Sequence, residues 1–555
     1  MINAYKMFLK LTGFTMKSQI SVSQTYISAF NKFKSGDYKS SINYCQKALV
    51  IEKNSIVYHL LGVSFARLKL YDDAIYNIKE AINILPSSKF YMDLGDIYRE
   101  LKEYKNAIDF YKLALKLEPE NSNAYYSTAT ILHKIGNFSS SLKMLVNALT
   151  YDTNNIKFKL LAAKCLDGLN EFNASIDFYN EILKVEPNNI LALLDKADLL
   201  RRMFRYDEAI NCAQLSLKLD KMNINCYLIN SVIYRDLKNI DESIKYLDLG
   251  LKFKPNSPQA LFNKSVMLLG KGDYEKGWDL YESRWKLNDW STLKNFTTKP
   301  IWNKNKNKNK VLLIWPEQGI GDEVMFSSIL NDLKNDVENI IVKSDQRLLT
   351  IFKRSFPYIN FISSKEIVSE DIYDFQLPIG SLARFYRRDK KDFFNKDNKF
   401  LLTSPYWDNI LRTKLKNNNK RKIGISWKST NPISGLKRST SLEDLLFYIG
   451  DPNACYINLQ YGDVNEEITV ARNLTNFNIL NIEEIDNKNN IDGLLSLIAI
   501  CDEVISVDNS TVHFSGAIGV PTEVLLHSTA DFRWELESNR TNWYRLHNLK
   551  RNIIL

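Results

Sequence analysis

No run of eighteen apolar residues occurs in the 555-residue chain, so the sequence offers no helical membrane span. Cysteine is sparse: Cys45, Cys165, Cys212, Cys226, Cys455 and Cys501 are scattered, with no C-x-x-C among them. Most sit in apolar-periodic stretches, where a thiol behaves as a small hydrophobe. A disulfide framework or zinc site is therefore not expected, and the expected compartment is the cytoplasm. The net charge of +10 is diluted over a long chain and partly sits in one linker. It gives little support to nucleic-acid binding, which is not expected, and leaves anionic substrates or peripheral membrane contact open. The first residues, MINAYKMFLKLTGFTM, carry Lys6 and Lys10 and no small-residue cleavage site. They read as a leader over 1–20 rather than a signal peptide, with Met1 or Met16 as the start.

Against these absences stands an ordinary globular composition, 45% apolar and 25% charged, on a chain long enough for roughly three to four domain-sized units. One pattern recurs over 21–290. Small residues on a first helix fall at Ala29, Gly62, Gly95, Ala129, Ala163, Ala197, Ser231 and Ser265. Twelve residues beyond each comes a second: Ser41, Ala74, Ala107, Ser141, Ser175, Ala209, Ser243 and Gly277. An aromatic often precedes the second by three, and Pro86, Pro119, Pro187 and Pro255 close units. Small residues let antiparallel helices approach, and proline ends the ladder of backbone bonds. The pattern resembles the tetratricopeptide repeat in about eight copies, implying an all-α superhelix with a concave groove. Such an array is either a docking groove for a protein partner or acceptor, or a rigid arm or dimer surface.

A connector over 291–310 follows, containing the low-complexity NKNKNKNK. Beyond it β-rich runs alternate with helix-like segments, at Val311–Ile314, Ile340–Lys343, Asn360–Ser363, Lys422–Trp427, Cys455–Gln460, Glu503–Val507 and Glu523–Leu526. Alternation predicts parallel, doubly wound sheets, and the polar KLKNNNKRK divides the region into halves at 311–413 and 421–555. Ligands bind such sheets in the crevice beyond the strands' carboxyl ends. There the first half has Gly319-Ile320-Gly321 followed by Asp322 and Glu323. This is neither a dinucleotide fingerprint nor a Walker A loop, and Asp322 would repel a phosphate. For an isolated acid at this position a plain helix cap is the favoured account. In the second half, SVDNSTVHFSGAIGVP places Asp508, Asn509, Ser510 and Thr511 where a strand meets a helix N-terminus. Free N–H groups there can cradle a diphosphate, with His513 one helical turn in.

The motifs EQGIGDEVMF, FQLPIGSLARFY, GISWKS, LKRSTSLEDL, INLQYGD and SVDNSTVHFSGAIGVP, with the tail DFRWELESNRTNWY, occur in order over some 250 residues. This half resembles bacterial tetratricopeptide-repeat glycosyltransferases, whose catalytic part is similar to the lipopolysaccharide heptosyltransferases. The resemblance implies a GT-B module, two Rossmann-like domains facing a cleft. The first would be the acceptor side; the second would hold a nucleotide-sugar as co-substrate, with no other cofactor. It implies Asp322 as general base, Lys437 and Arg438 as the basic loop for the leaving diphosphate, and Asp508 and His513 beside phosphates and sugar. Gln460 falls where the base is commonly contacted. Glu323 and Lys428 are weaker candidates, and Ser510 stands where the family often carries glycine. No D-x-D triplet is present, and no required metal is expected. The expected activity is transfer of a sugar to a hydroxyl on a glycan, lipid-linked saccharide or protein, the repeats recruiting the acceptor or a partner. The asparagine ladder of protein O-GlcNAc transferase is absent at Leu60, Asp93, Ser127, Leu161, Asp195, Ile229 and Asn263. The alternative is a non-enzymatic repeat scaffold carrying an inactive transferase-like domain.

Overall fold

The computed structural model describes residues 16–287, 297–304, 310–393, 399–430, 435, 438–475, 477–527, 531–536 and 538–551. Most of the leader, part of the connector and the candidate Lys437 lie outside the described residues. Among those described, no helix is long and apolar enough to cross a membrane. The chain divides into two compact units, Met1–Asp220 and Lys221–Leu555.

The first unit contains helices in antiparallel pairs, from Met16–Lys34 with Tyr38–Ile51 to Ile190–Arg202 with Tyr206–Leu219. The spacing of twelve residues has a physical cause. Ser141 Oγ donates to the carbonyl of Ala129 at 2.7 Å and Ser175 Oγ to that of Ala163 at 2.8 Å, all four residues fully buried. In these two repeats a hydroxyl on the second helix answers a carbonyl on the first, and in every repeat small side chains at both positions allow the close approach. Where glycine occupies the first position, the neighbour fills the gap: a Cβ on Gly95 would lie 2.5 Å from the Tyr111 ring. Asparagines cap several of the first helices, Asn54, Asn121, Asn155 and Asn189 each accepting from the first turn. This region is an all-helical tetratricopeptide-repeat array.

The second unit opens with four more repeat helices, Ile224–Asp236, Ile240–Phe253, Pro258–Lys271 and Tyr274–Tyr281, before its sheets begin. The compact boundary therefore falls inside the repeats rather than at the connector. Apolar packing explains why. Leu269, Tyr274, Trp278 and Tyr281 belong to one buried cluster with residues of both sheets. The Trp278 ring meets Phe326, Phe532 and Trp543 edge-on at 5.7–6.4 Å.

Two all-parallel sheets follow. The first comprises β1 (Val311–Trp315), β2 (Asn339–Ser344), β3 (Asn360–Ser363) and β4 (Phe375–Pro378), in the order β3-β2-β1-β4. The second comprises β5 (Lys422–Ser426), β6 (Cys455–Asn458), β7 (Asn478–Leu480), β8 (Glu503–Val507), β9 (Thr522–Leu526) and β10 (His547–Arg551), in the order β10-β9-β8-β5-β6-β7. Strands β4, β7 and β10 are additional to those expected from sequence. The first ends in proline, the second has three residues, and the third is the polar edge strand HNLKR, so none carries a plain apolar run. Each sheet reverses its winding once, between β1 and β4 and between β5 and β8. Those reversals open the crevices in which such sheets take ligands.

A buried ion pair fixes the first crevice. Arg284 follows the last repeat helix and is fully buried; it donates to both carboxylate oxygens of Glu317, at 2.8 and 2.9 Å. Its guanidinium also reaches Ser381 Oγ, Glu282 and the Tyr281 carbonyl. Glu317 in turn accepts from the Gly380 N–H at 2.7 Å. A Cβ on Gly380 would lie 2.5 Å from that carboxylate, so the glycine after β4 is the price of this approach. Replacing Arg284 with Met leaves Glu317 charged and unpaired in the interior, and is expected to cost about 3–5 kcal/mol. The double variant Arg284→Met, Glu317→Gln should recover part of that loss. All nine tryptophans lie in the second unit, so chemical unfolding followed by tryptophan fluorescence reads the effect there directly.

Candidate functional site

The strand β1 feeds a turn in which Gln318 adopts a left-handed conformation, φ 62°, rare for a residue with a side chain. The helix Ile320–Ser327 starts immediately, with Gly319 as its N-cap residue. At the other switch point β8 feeds the helix Ser510–Ala517, capped by Asn509, whose side chain accepts from the Thr511 N–H at 2.9 Å. These two helices pack against each other. Gly321 makes the approach feasible: a Cβ there would stand 2.8 Å from His513 Cδ2. The second glycine of the turn thus serves close contact between the two halves.

Asp322 is the acid at this junction. Its Oδ1 accepts from Arg533 Nε at 2.8 Å and from Arg533 Nη2, and the carboxylate also accepts from the backbone of Gly319, the N-cap of its own helix. Arg533 also donates to Gln318 Oε1 at 2.9 Å and pairs with Asp531 at 2.6 Å. Both side chains of the Asp322–Arg533 pair are largely enclosed, at 14% and 11% exposed. Burial pushes the Asp322 carboxyl above its ordinary range and the Arg533 guanidinium only partly offsets this. Burial works against the charge of Arg533 as well, but Asp322 and Asp531 outweigh it and hold the cation well above its ordinary value.

Asp508, at the end of β8, pairs with Arg438 at 3.1 Å; burial raises its carboxyl and Arg438 works the other way. His513 is buried, and its Nδ1 meets the Tyr544 hydroxyl at 3.0 Å. Burial, reinforced by Arg533, His547 and Arg438, holds this imidazole neutral, well below its ordinary pKa. Asp322, Arg533, Asp531, Asp508, Arg438 and His513 therefore form one electrostatically coupled group, built from both sheets.

Other candidates stand apart from it. Gln460 is 2% exposed and its amide is fully engaged: Oε1 accepts from Ser426 Oγ, Trp427 N and Lys428 N, and Nε2 donates to the carbonyls of Lys428 and Tyr461. Lys428 Nζ pairs with Glu467 at 2.7 Å. Asn509, beyond its capping bond, donates to Ser426 Oγ and the Lys428 carbonyl. Thr511 is buried beside Ser426, and Ser510 is half-buried at the first position of its helix. Gly319 has open space where a Cβ would stand. Glu323 points away from the junction, accepting from Ser344 Oγ at 2.6 Å and Asp345 N at 3.1 Å at the end of β2.

Nothing in the sequence singles out Arg533, Asp531 and Tyr544 individually, although all three lie in the tail DFRWELESNRTNWY that shares in the resemblance. Arg533 lies 211 residues beyond Asp322 and no local spacing joins them. Among the described residues no group of three or more His, Cys, Asp or Glu side chains is arranged to hold a metal ion.

Comparison with known proteins finds the tetratricopeptide repeat at residues 95–136 and 225–257. Protein FlbA of Caulobacter vibrioides is 30% identical over 318 residues, 52% of this chain and 52% of FlbA. The BBSome complex member BBS4 of Bos taurus is 29% identical over 126 residues, 22% of this chain and 24% of BBS4. The chain thus spans about half or less of the length of these curated relatives. Among solved structures, YrrB, described as a TPR protein with an unusual peptide-binding site, aligns with 34% of this chain and 98% of its own, at 18% identity and a TM-score of 0.29.

Burial pushes the Glu323 carboxyl up to about 7 from 4.5, its two hydrogen bonds offsetting only part of the effect. Its folded value lies above its unfolded one, so its contribution to stability is full below pH 4.5 and is lost as pH rises through about 7. At 1.36 kcal/mol per unit the loss is on the order of 3 kcal/mol. Glu323→Gln should flatten that slope, which fluorescence-detected unfolding across this pH window measures.

Proposed function

We propose that this chain is a glycosyltransferase of GT-B type, moving a sugar from a nucleotide-sugar to a hydroxyl of a glycan, lipid-linked saccharide or protein. The repeats recruit the acceptor or a partner. The observation that carries the reading is the enclosed carboxylate of Asp322, anchored by Arg533 at a junction where a second sheet brings Asp508, Arg438 and His513.

A base needs this combination. Anchoring fixes direction, and a carboxyl raised by burial accepts a proton more readily than an ordinary aspartate. The Asp322 carboxylate takes the acceptor's hydroxyl proton as the oxygen attacks the anomeric carbon. The bond from that carbon to the diphosphate breaks, and its electrons leave with the phosphate oxygen. Arg438, the neutral His513 and the N-terminus of the Ser510–Ala517 helix supply positive charge and donors where negative charge develops. Arg533 keeps the site's acids from repelling one another before the donor arrives.

A stability panel with UDP, ADP, GDP, CMP and their sugar conjugates should give one clear responder. At 100 times its dissociation constant a ligand stabilises the protein by about 2.7 kcal/mol. Asp322→Asn keeps the Arg533 contact but removes the base; turnover of that donor should fall by roughly 10²–10⁴-fold with nucleotide binding unchanged. The wild-type rate should rise with pH through an inflection above the ordinary aspartate range. A folded protein that no nucleotide stabilises would instead favour the repeat scaffold.

A further inference from the structure

Tyr544 shares no sheet or helix with His513, yet several features bring their rings together. The phenol lies just before β10, 4% exposed, with its hydroxyl 3.0 Å from His513 Nδ1. Room for it is cut from the His513 helix itself: a Cβ on Gly516 would lie 2.3 Å from Tyr544 Cδ1. On its remaining sides the imidazole lies against Trp534, with centroids 5.5 Å apart and planes 25° apart, and against Gly321. The ring is therefore held by packing before any ligand arrives.

Donor and acceptor accounting then fixes its protons. The Tyr544 hydroxyl has no hydrogen-bond partner but His513 Nδ1 among the described residues. A phenol carries one proton, and burial together with the nearby Asp322 charge keeps it protonated, well above its ordinary pKa. If His513 donated from Nδ1, the phenolic proton would be left buried and unpaired. If the phenol donates, both groups are satisfied and the imidazole proton sits on Nε2. That nitrogen has no partner among the described residues and is not among the sealed polar atoms. It lies on the Gly321 side of the ring.

We propose that Tyr544 is a positioning residue that donates to Nδ1 and locks His513 as the neutral Nε2–H tautomer. His513 then offers a hydrogen-bond donor, without charge, to an acceptor oxygen entering beside the glycine turn, such as a phosphate or sugar oxygen of the donor. It takes no proton itself, which leaves Asp322 as the base. The oxygen's identity rests on the transferase reading above; the tautomer does not.

The test uses the full chain with isotope-labelled histidine, whose five imidazoles give separate patterns in long-range proton–nitrogen correlation spectra. His513→Gln assigns the relevant pattern. The expected result near neutral pH is protonated Nε2 with a hydrogen-bonded, unprotonated Nδ1. In Tyr544→Phe the Nδ1 resonance should shift as that bond is lost, and the Nδ1–H tautomer should become measurably populated. An Nδ1–H tautomer in the wild type overturns the proposal, as does an unshifted pattern in folded Tyr544→Phe. Should that variant not fold, the wild-type tautomer alone decides. No step reads turnover, so failure here is distinct from failure of the Asp322 experiment.

Discussion

The second unit depends on one buried pair of opposite charges. Arg284 and Glu317 are almost wholly removed from water, and neither would be tolerated there alone. Their own polar groups are joined in a chain of contacts, from the Tyr281 carbonyl through the guanidinium and carboxylate to the Gly380 N–H. That chain joins the end of the repeats to the loops after β1 and β4, which flank the first switch point. The turn bearing Asp322 starts one residue beyond Glu317. Its geometry is thereby held from behind, by a group that never faces the junction.

On the junction itself the logic is alternation of charge. Asp322 and Asp531 sandwich Arg533, and Asp508 holds Arg438. Burial raises the carboxyls of Asp322 and Asp508, while the neighbouring acids hold Arg533 charged. The histidine between them contributes shape and a directed N–H rather than charge. Glycines at Gly321, Gly380 and Gly516 remove the volume that would keep these groups apart.

The repeats were legible because their cause is periodic: a small residue on each first helix and a second small residue twelve positions on. The parallel sheets were legible where strands carried apolar runs, and not at β4, β7 and β10, which are short, proline-terminated or polar. The glycines were conspicuous in sequence, but their reasons are tertiary: His513 for Gly321, Glu317 for Gly380, Tyr544 for Gly516. Arg533 could not be found by spacing, since the Asp322 it holds is in another domain half. Gln460 shows the converse. Its position at a strand end suggested a ligand contact, while its amide in fact knits the loop after β5 to that after β6.

The shared core of the last repeat helices and the sheets also bears on where this protein can be cut. The low-complexity connector looks like the natural seam, yet Trp278, Tyr281 and Arg284 lie before it and pack on residues that lie after it. A fragment beginning at the connector would present a raw aromatic surface and an unneutralised Glu317. The α/β half is therefore not a detachable module: it shares its core with the last repeat, and the compact unit that holds it begins at Lys221, two repeats before the connector.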